Sequence, residues 1–240
     1  MATGLKKGVK AILDHTWIPF VQYTIKNVSI ERRPMAPSLV EMAFQRGRSS
    51  SLDYVETHMP RAMFFSSREP LWAFAVRDIA PNGLAAEFGV WQGDSIKYFA
   101  KHFELIYGFD SFRGLHEDWV LHDLPKGNFD LKGVLPSVPA NVRLVPGWFH
   151  ETVPPFLQQH RENFSFIHLD CDTYETVSKV LSLISDRLQS GTVLVFDEYM
   201  GFHGWQQRGE YRAWQELVAK NHLKYEYIAC AERQVAVRLL

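Results

Sequence analysis

The chain has 240 residues, with 26 Lys and Arg against 27 Asp and Glu, and a formal net charge of −1. This length is typical of one domain, or of one domain with an extension. The balanced charge lacks the basic excess of proteins that bind nucleic acids. With 17 Phe, 9 Tyr and 7 Trp, most of the chain cannot be intrinsically disordered. Cys171 and Cys230 provide neither a disulfide framework nor a zinc site, so we expect a reducing, cytoplasmic compartment.

The first 80 residues have an irregular hydrophobic pattern. Asp14 and His15 interrupt the apolar stretch near the N-terminus, so we expect neither an export signal nor an integral membrane segment. The favoured interpretation is an amphipathic helix or extended arm that packs on the core or on a second subunit, and a peripheral membrane contact is the alternative. A short helix is expected at 39–45, and Pro70 should begin another. Residues 1–80 are thus predicted to form a helical arm or cap, and a homo-oligomer is expected.

Residues 81–240 are predicted to form the main domain, because short apolar runs alternate there with helical segments. Strands are expected at 84–88, 105–109, 142–145, 166–170 and 192–197, and helices at 95–102, 154–163, 174–188 and 210–221. Strands that are apolar on both faces and separated by helices are typical of a parallel sheet covered on both sides. The last two strands, 224–230 and 234–239, are joined by three residues and form a hairpin. The sequence therefore predicts an α/β fold with a Rossmann-like, doubly wound, mainly parallel sheet, an antiparallel C-terminal hairpin strand and an N-terminal helical extension.

The loop after the first strand of this domain contains two glycines four positions apart, Gly89 and Gly93. Glycine permits positive φ and a close approach of a ligand to the backbone, but the spacing differs from the G-x-G-x-x-G motif that binds a pyrophosphate. A plain tight turn is the alternative. Glu87 ends the strand, and a buried carboxylate there needs a ligand or a hydrogen-bond donor. The next strand ends in Asp110, where a carboxylate can accept both ribose hydroxyls of a nucleoside-like ligand.

Four carboxylates follow two consecutive strands of the predicted sheet. Asp170 and Asp172 follow one strand, and Asp197 and Glu198 follow the next. Neighbouring strands lie ~4.8 Å apart, so three of these acids could converge on one divalent cation, and Mg²⁺ prefers oxygen ligands. A cation would also remove the repulsion between the carboxylates. The alternative is a set of solvated acids that cap the following helices.

Taken in chain order, the motifs resemble those of one known family. They read E-F-G-x-x-x-G-x-S, Y-G-F-D-S-F-x-G-L, G-W-F-x-x-T-V-P, H-L-D-x-D-x-Y-E and V-F-D-E-Y, and they cover roughly residues 80 to 200. The series is similar to class I S-adenosylmethionine-dependent O-methyltransferases of the macrocin and mycinamicin type, which include the noviose O-methyltransferase of novobiocin synthesis. Those enzymes methylate sugar hydroxyls of natural products and need Mg²⁺. The resemblance therefore implies S-adenosylmethionine and Mg²⁺ as cofactors and a small-molecule acceptor, a sugar or another vicinal diol, with no nucleic-acid partner.

The same resemblance implies roles for individual residues. The donor-binding residues would be Glu87, Gly89, Gly93, Ser95, Asp110, Ser111, Trp148, Phe149 and Asp170. Asp170, Asp197 and Glu198 would bind the metal, with Glu198 standing where many members have Asp. Members of the family place the general base at different positions, so both Asp172 and His122 are candidates for the catalytic base.

The loops that flank the predicted site, at 117–135 and 199–209, are less informative. The second loop is rich in aromatic residues and glycine. It is expected either to close over a flat or sugar-like acceptor or to pack on the surface through Trp205. The sequence does not separate these two interpretations.

Two functions of other classes also stay open. A glycosyltransferase could use Asp170-Cys171-Asp172 as a D-x-D metal site for a sugar nucleotide, although the glycine loop and Asp110 favour the methyl donor. A non-catalytic methyltransferase fold could serve as a scaffold subunit. Retention of the polar positions of both predicted sites argues against the scaffold.

Overall fold

The computed structural model of the chain describes residues 37–80, 82–119 and 124–240. Residues Leu39–Leu240 form one compact unit. Within the described residues its helices are α1 (Leu39–His58), α2 (Arg68–Ala75), α3 (Asp94–Phe99), α4 (Phe149–Gln159), α5 (Tyr174–Ile184) and α6 (Glu210–Asn221), with a 3₁₀ turn at Ser185–Arg187. The strands are β1 (Met63–Phe65), β2 (Leu84–Phe88), β3 (Ile106–Asp110), β4 (Val142–Pro146), β5 (Phe164–Leu169), β6 (Val193–Phe196), β7 (Tyr225–Ala231) and β8 (Gln234–Leu239).

The eight strands form one sheet in the order β1-β7-β8-β6-β5-β2-β3-β4. Strand β8 runs antiparallel to both β6 and β7, and the remaining pairs are parallel. The predicted mainly parallel α/β sheet with an antiparallel C-terminal hairpin strand is thus confirmed. The carboxyl ends of β2, β3, β5 and β6 consequently meet at one edge, where a ligand site is expected in such folds.

Helices cover both faces of the sheet. Helices α1, α4, α5 and α6 pack on one face, and α2 and α3 pack on the other. The central strands β2 and β5 are buried along their whole length, which explains why both read as continuous apolar runs. In the part of the chain that the structure describes, the helices are too short or too polar to span a bilayer.

Two helices differ from the sequence-based expectation. Helix α1 continues to His58 rather than ending near residue 45. Helix α4 begins at Phe149, five residues before Pro154, which had been expected to open it. Its first turn is already closed by the N–H groups of Glu151 and Thr152, which donate to the Trp148 carbonyl.

The first 36 of the 80 residues in the predicted N-terminal arm or cap lie outside the described residues, which begin at residue 37. Strand β1 pairs with β7 at the edge of the sheet, so residues 63–65 are part of the compact unit. The division at residue 80 and the homo-oligomer stay predictions.

Candidate functional site

The loop after β2 brings the ends of two central strands into direct contact. Gly89 has a φ of 94°, and a Cβ added there would lie 1.7 Å from the carbonyl oxygen of Asp170. Only glycine fits this position, because it combines left-handed backbone with a missing side chain. Gly93, with a φ of 82°, precedes the first residue of α3. Both glycines of the motif are therefore required by the turn.

Asp110, the last residue of β3, holds the same loop by its side chain. Its Oδ2 accepts the N–H groups of Val90 and Trp91, both at 2.8 Å, and its Oδ1 accepts the N–H of Phe112 at 2.7 Å. A carboxylate has about four lone-pair sites, so part of its acceptor capacity is still free for a ligand. The ribose-binding role of Asp110 stays a prediction.

A cleft of about 750 Å³ opens at this edge of the sheet. Six of the predicted donor-binding residues line it, namely Gly89, Asp110, Ser111, Trp148, Phe149 and Asp170. The other three, Glu87, Gly93 and Ser95, lie outside the described lining of this cleft.

Three aromatic residues that the sequence analysis did not select also line the cleft. The ring of His116 meets Trp148 edge-on at 5.0 Å between centroids, and Trp91 meets Phe129 in the same way at 5.3 Å. Trp91 could have been recognised, because it lies between the two glycines of the loop. His116 and Phe129 belong to a stretch of the sequence with no hydrophobic pattern of its own.

Glu87 is fully buried beneath the loop and finds its hydrogen-bond partners inside the protein. Ser95 Oγ donates to Glu87 Oε1 at 3.1 Å, and His168 Nδ1 lies 3.0 Å from Oε2. Burial is the main reason that the pKa of Glu87 is raised, and the histidine opposes the effect. The arrangement satisfies the expectation that a buried carboxylate at this strand end meets a donor, while a contact with the methyl donor stays a prediction.

Beyond the cleft, three carboxylates converge. Asp170, Asp172 and Glu198 can each offer an oxygen such that all three lie within 4.8 Å of one another. Burial, followed by the charge of Asp197, raises the pKa of all three groups, to about 7 for Asp172. The buried Glu198 Oε2 has no hydrogen-bond partner. Its Oε1 lies 3.8 Å from Arg233 Nη1. Three clustered carboxylates are a suitable ligand set for a hard divalent cation.

Asp197 lies beside this cluster but in a different environment. Its Oδ1 accepts a hydrogen bond from Gln234 Nε2 and lies 3.9 Å from His168 Nε2. Among the described residues the convergent set is thus Asp170, Asp172 and Glu198, whereas the sequence predicted Asp170, Asp197 and Glu198. Both sets stay predictions as metal ligands. His122, the other candidate base, lies outside the described residues.

A second cleft, of about 860 Å³, adjoins the acid cluster. It is lined by polar and charged side chains, including those of Glu117, Arg208 and Arg212. Asp172 lines both clefts. This carboxylate, which also has a positive φ of 65°, therefore stands at the junction between the two clefts.

The loop after β6 packs against α1 and also contributes to the second cleft. Trp205 is buried, and its Nε1 donates to Ser50 Oγ at 3.0 Å. The N–H of Gly201 donates to Ser51 Oγ at 2.9 Å. Packing through Trp205 is therefore observed. Residues 202 and 207–209 of the same loop line the second cleft, so its closure over an acceptor stays a prediction.

Comparisons with known proteins were consistent with this geometry. Residues 86–199 match a family model described as a methyltransferase domain. The chain is 30% identical over 191 residues to mycinamicin III 3''-O-methyltransferase of Micromonospora griseorubida, which is 75% of this chain and 66% of that protein. It is 29% identical over 114 residues to 8-demethyl-8-(2,3-dimethoxy-alpha-L-rhamnosyl)-tetracenomycin-C 4'-O-methyltransferase of Streptomyces olivaceus, which is 46% of this chain and 41% of that protein. The chain thus spans less than two thirds of the length of these relatives.

Solved structures show the same fold. The calicheamicin methyltransferase CalS11 is similar with a TM-score of 0.55 at 21% identity, over 85% of this chain and 94% of that one. The O-methyltransferase NovP is similar with a TM-score of 0.50 at 21% identity, over 71% of this chain and 79% of that one. At this level of identity the two structures establish the fold alone.

Proposed function

Because the chain belongs to the methyltransferase family that its motifs and relatives match, we propose that it transfers a methyl group from S-adenosylmethionine to a hydroxyl of a small molecule. The acceptor class is a sugar or another vicinal diol of a natural product, and the reaction uses Mg²⁺. One observation carries the proposal. Asp172 lines both the first cleft, which contains most of the expected donor-binding residues, and the second cleft, which is where a base between a donor and an acceptor is needed.

The first cleft is suited to the donor. Trp148 and Phe149 offer aromatic surface to an adenine, and Asp110 retains acceptor capacity for ribose hydroxyls. Asp170 and Asp172 also line this cleft, and ionised carboxylates there would favour a cationic sulfonium through their charge. Oxygen-rich side chains thus surround the position where the reactive methyl group would lie.

Asp170 and Glu198, together with Asp172 or Asp197, would hold the metal ion. When bound, Mg²⁺ would lower the pKa of an acceptor hydroxyl and orient it. A carboxylate oxygen of Asp172 would accept the proton that this hydroxyl loses. Burial and the charge of Asp197 raise the pKa of Asp172 in the metal-free protein, which makes its carboxylate a stronger base than an exposed one.

The substitution Asp172→Asn separates the two roles of this residue. If Asp172 is the base, the variant binds Mg²⁺ and S-adenosylhomocysteine as the wild type does, while kcat falls by about 10²-fold or more. If Asp172 is a metal ligand, the Mg²⁺ affinity falls as well. If turnover by the variant is undiminished, His122 or solvent, rather than Asp172, is the general base. Titration calorimetry and a radiolabelled methyl-transfer assay measure the two quantities independently.

A binding experiment tests the proposed function against the alternatives. The wild type is titrated with S-adenosylhomocysteine and, separately, with a uridine diphosphate sugar. Binding of the first ligand alone supports the methyltransferase. Binding of the sugar nucleotide alone would favour a glycosyltransferase, and binding of neither would favour the scaffold. A panel of glycosides with vicinal hydroxyls then identifies the acceptor.

A further inference from the structure

A row of buried polar side chains crosses the sheet behind the acid cluster. It lies on the face covered by α2 and α3, where His168 contacts the rings of Trp72 and Phe99. From one end to the other it comprises Ser95, Glu87, His168, Asp197, Gln234 and Trp72. Polar groups are costly in such a position unless they have partners, and His168 Nε2, 3.9 Å from Asp197 Oδ1, has no hydrogen-bond partner among the described residues. A row of this cost indicates a specific purpose.

Gln234 has only one suitable orientation in this row. Trp72 Nε1 donates to Gln234 Oε1 at 2.7 Å, and both residues are buried. An indole N–H is a donor and never an acceptor, so it fixes the amide oxygen toward Trp72. The amide nitrogen must then face the opposite way, where it donates to Asp197 Oδ1.

The antiparallel direction of β8 makes this contact available. Phe196, at the end of β6, pairs with Val235 near the start of β8. The first residue of β8, Gln234, therefore lies at the same edge of the sheet as the carboxyl ends of the parallel strands. A parallel strand at this position would present its last residue there instead.

The backbone around Asp197 is already fixed by other bonds. The N–H of Asp197 donates to the Leu169 carbonyl at 3.0 Å, and the N–H of Glu198 donates to Glu210 Oε2 at 2.8 Å. What these bonds leave undetermined is the rotation of the Asp197 side chain. Gln234 supplies that constraint by holding Oδ1.

We propose that Trp72 and Gln234 are positioning residues, which orient the Asp197 carboxylate at the metal site by a two-step relay of hydrogen bonds. The inference rests on the proposed function, since it assumes that Asp197 joins Asp170 and Glu198 in binding a divalent cation. Neither residue lines either of the two clefts described above. They would act on the ion only through Asp197.

The substitution Trp72→Phe tests the relay, because it keeps an aromatic ring and removes only the N–H. The amide of Gln234 is then free to turn, and Asp197 loses its fixed donor. We expect the Mg²⁺ affinity, measured by titration with MgCl₂ in the presence of S-adenosylhomocysteine, to fall about tenfold or more. The affinity for S-adenosylhomocysteine without metal should stay within about twofold of the wild type.

Trp205→Phe is the matched control. Trp205 is equally buried and also donates its Nε1 hydrogen, but to Ser50 rather than toward the acid cluster. This variant should lose some thermal stability and retain the Mg²⁺ affinity of the wild type. If Trp72→Phe also loses thermal stability but retains the Mg²⁺ affinity of the wild type, Trp72 has only a structural role and the proposal is wrong.

A double-mutant cycle gives a second readout. If Trp72 acts through Gln234, the loss of Mg²⁺ affinity in Gln234→Leu should hardly increase when Trp72→Phe is added. Additive losses would contradict a relay. A wild type that binds S-adenosylhomocysteine but no Mg²⁺ would instead refute the metal part of the proposed function, and the relay with it.

Discussion

At the scale of single residues, the contact between Gly89 and Asp170 is the most demanding feature of the site. We predict that Gly89→Ala lowers the free energy of unfolding by several kcal/mol, of which left-handed backbone alone accounts for about 1–2 kcal/mol. The rest arises because the new Cβ would overlap the Asp170 carbonyl, 1.7 Å away. S-adenosylhomocysteine binding should be lost, because the displaced residues line the cleft. Urea unfolding and ligand titration measure the two effects.

Gly191 offers a control for the backbone strain. It has a φ of 89°, close to that of Gly89, but a Cβ added there meets no atom within 4 Å. Gly191→Ala should therefore lose only about 1–2 kcal/mol and should bind S-adenosylhomocysteine normally. If Gly89→Ala and Gly191→Ala lose the same free energy of unfolding, the close approach of Gly89 to Asp170 does not contribute to stability.

At the scale of elements, α1 acts as a support for the loop after β6. Gly47 packs so closely that a Cβ there would lie 2.4 Å from the backbone carbon of Phe202. Gly to Ala normally stabilises a helix by about 1 kcal/mol. We predict the opposite sign for Gly47→Ala, a loss of about 2 kcal/mol, since overpacking a tight contact typically costs about 1–3 kcal/mol.

Denaturation in urea measures the change, with Ser49→Ala as the comparison on the same helix. Ser49 is exposed, so its replacement by alanine should be neutral or slightly stabilising. A stabilised Gly47→Ala variant would mean that α1 does not hold the loop against Phe202. The substitution would then behave as it does in a free helix.

The same helix shows where sequence reasoning succeeds and where it fails. Strand β2 and helix α6 were predicted with their observed bounds, because their apolar pattern is local. The first helix was predicted to end at residue 45, just before an Arg-Gly-Arg-Ser-Ser-Ser run that lacks a hydrophobic pattern. Its Gly47 is instead a packing position against Phe202, which is more than 150 residues away in the chain and thus invisible to a local pattern.

In the candidate site, too, only the residues that have a local sequence signal could be predicted. Asp110, Asp170 and Asp172 were found because each follows an apolar strand, and the structure brings all three to one cleft. Gln234 and Trp72 carry no local signal, since a single Gln or Trp in an apolar segment has many explanations. Their contact joins positions 162 residues apart. Only the strand order, with β8 beside β6, reveals that both belong behind Asp197.

At the scale of the whole molecule, the acid cluster should make stability depend on pH in an unusual direction. Burial raises the pKa of Asp170, Asp172, Glu198 and Glu210 in the folded protein. In the unfolded chain such groups lose their protons near pH 4, so above that pH the folded state binds more protons. Stability must then fall as the pH rises. For Asp172 the interval runs from about 4 to about 7.

We therefore predict that the Tm in EDTA falls between pH 5 and pH 8, and that Mg²⁺ restores it most at pH 8. The ion and the protons compete for the same carboxylate oxygens, so metal binding weakens as the pH is lowered. In Asp172→Asn one of the titrating groups is missing, so the Tm in EDTA should fall less steeply with rising pH than in the wild type. A Tm that rises across this range in EDTA, or a Mg²⁺ effect larger at pH 5 than at pH 8, would show that these carboxylates are ionised without a cation.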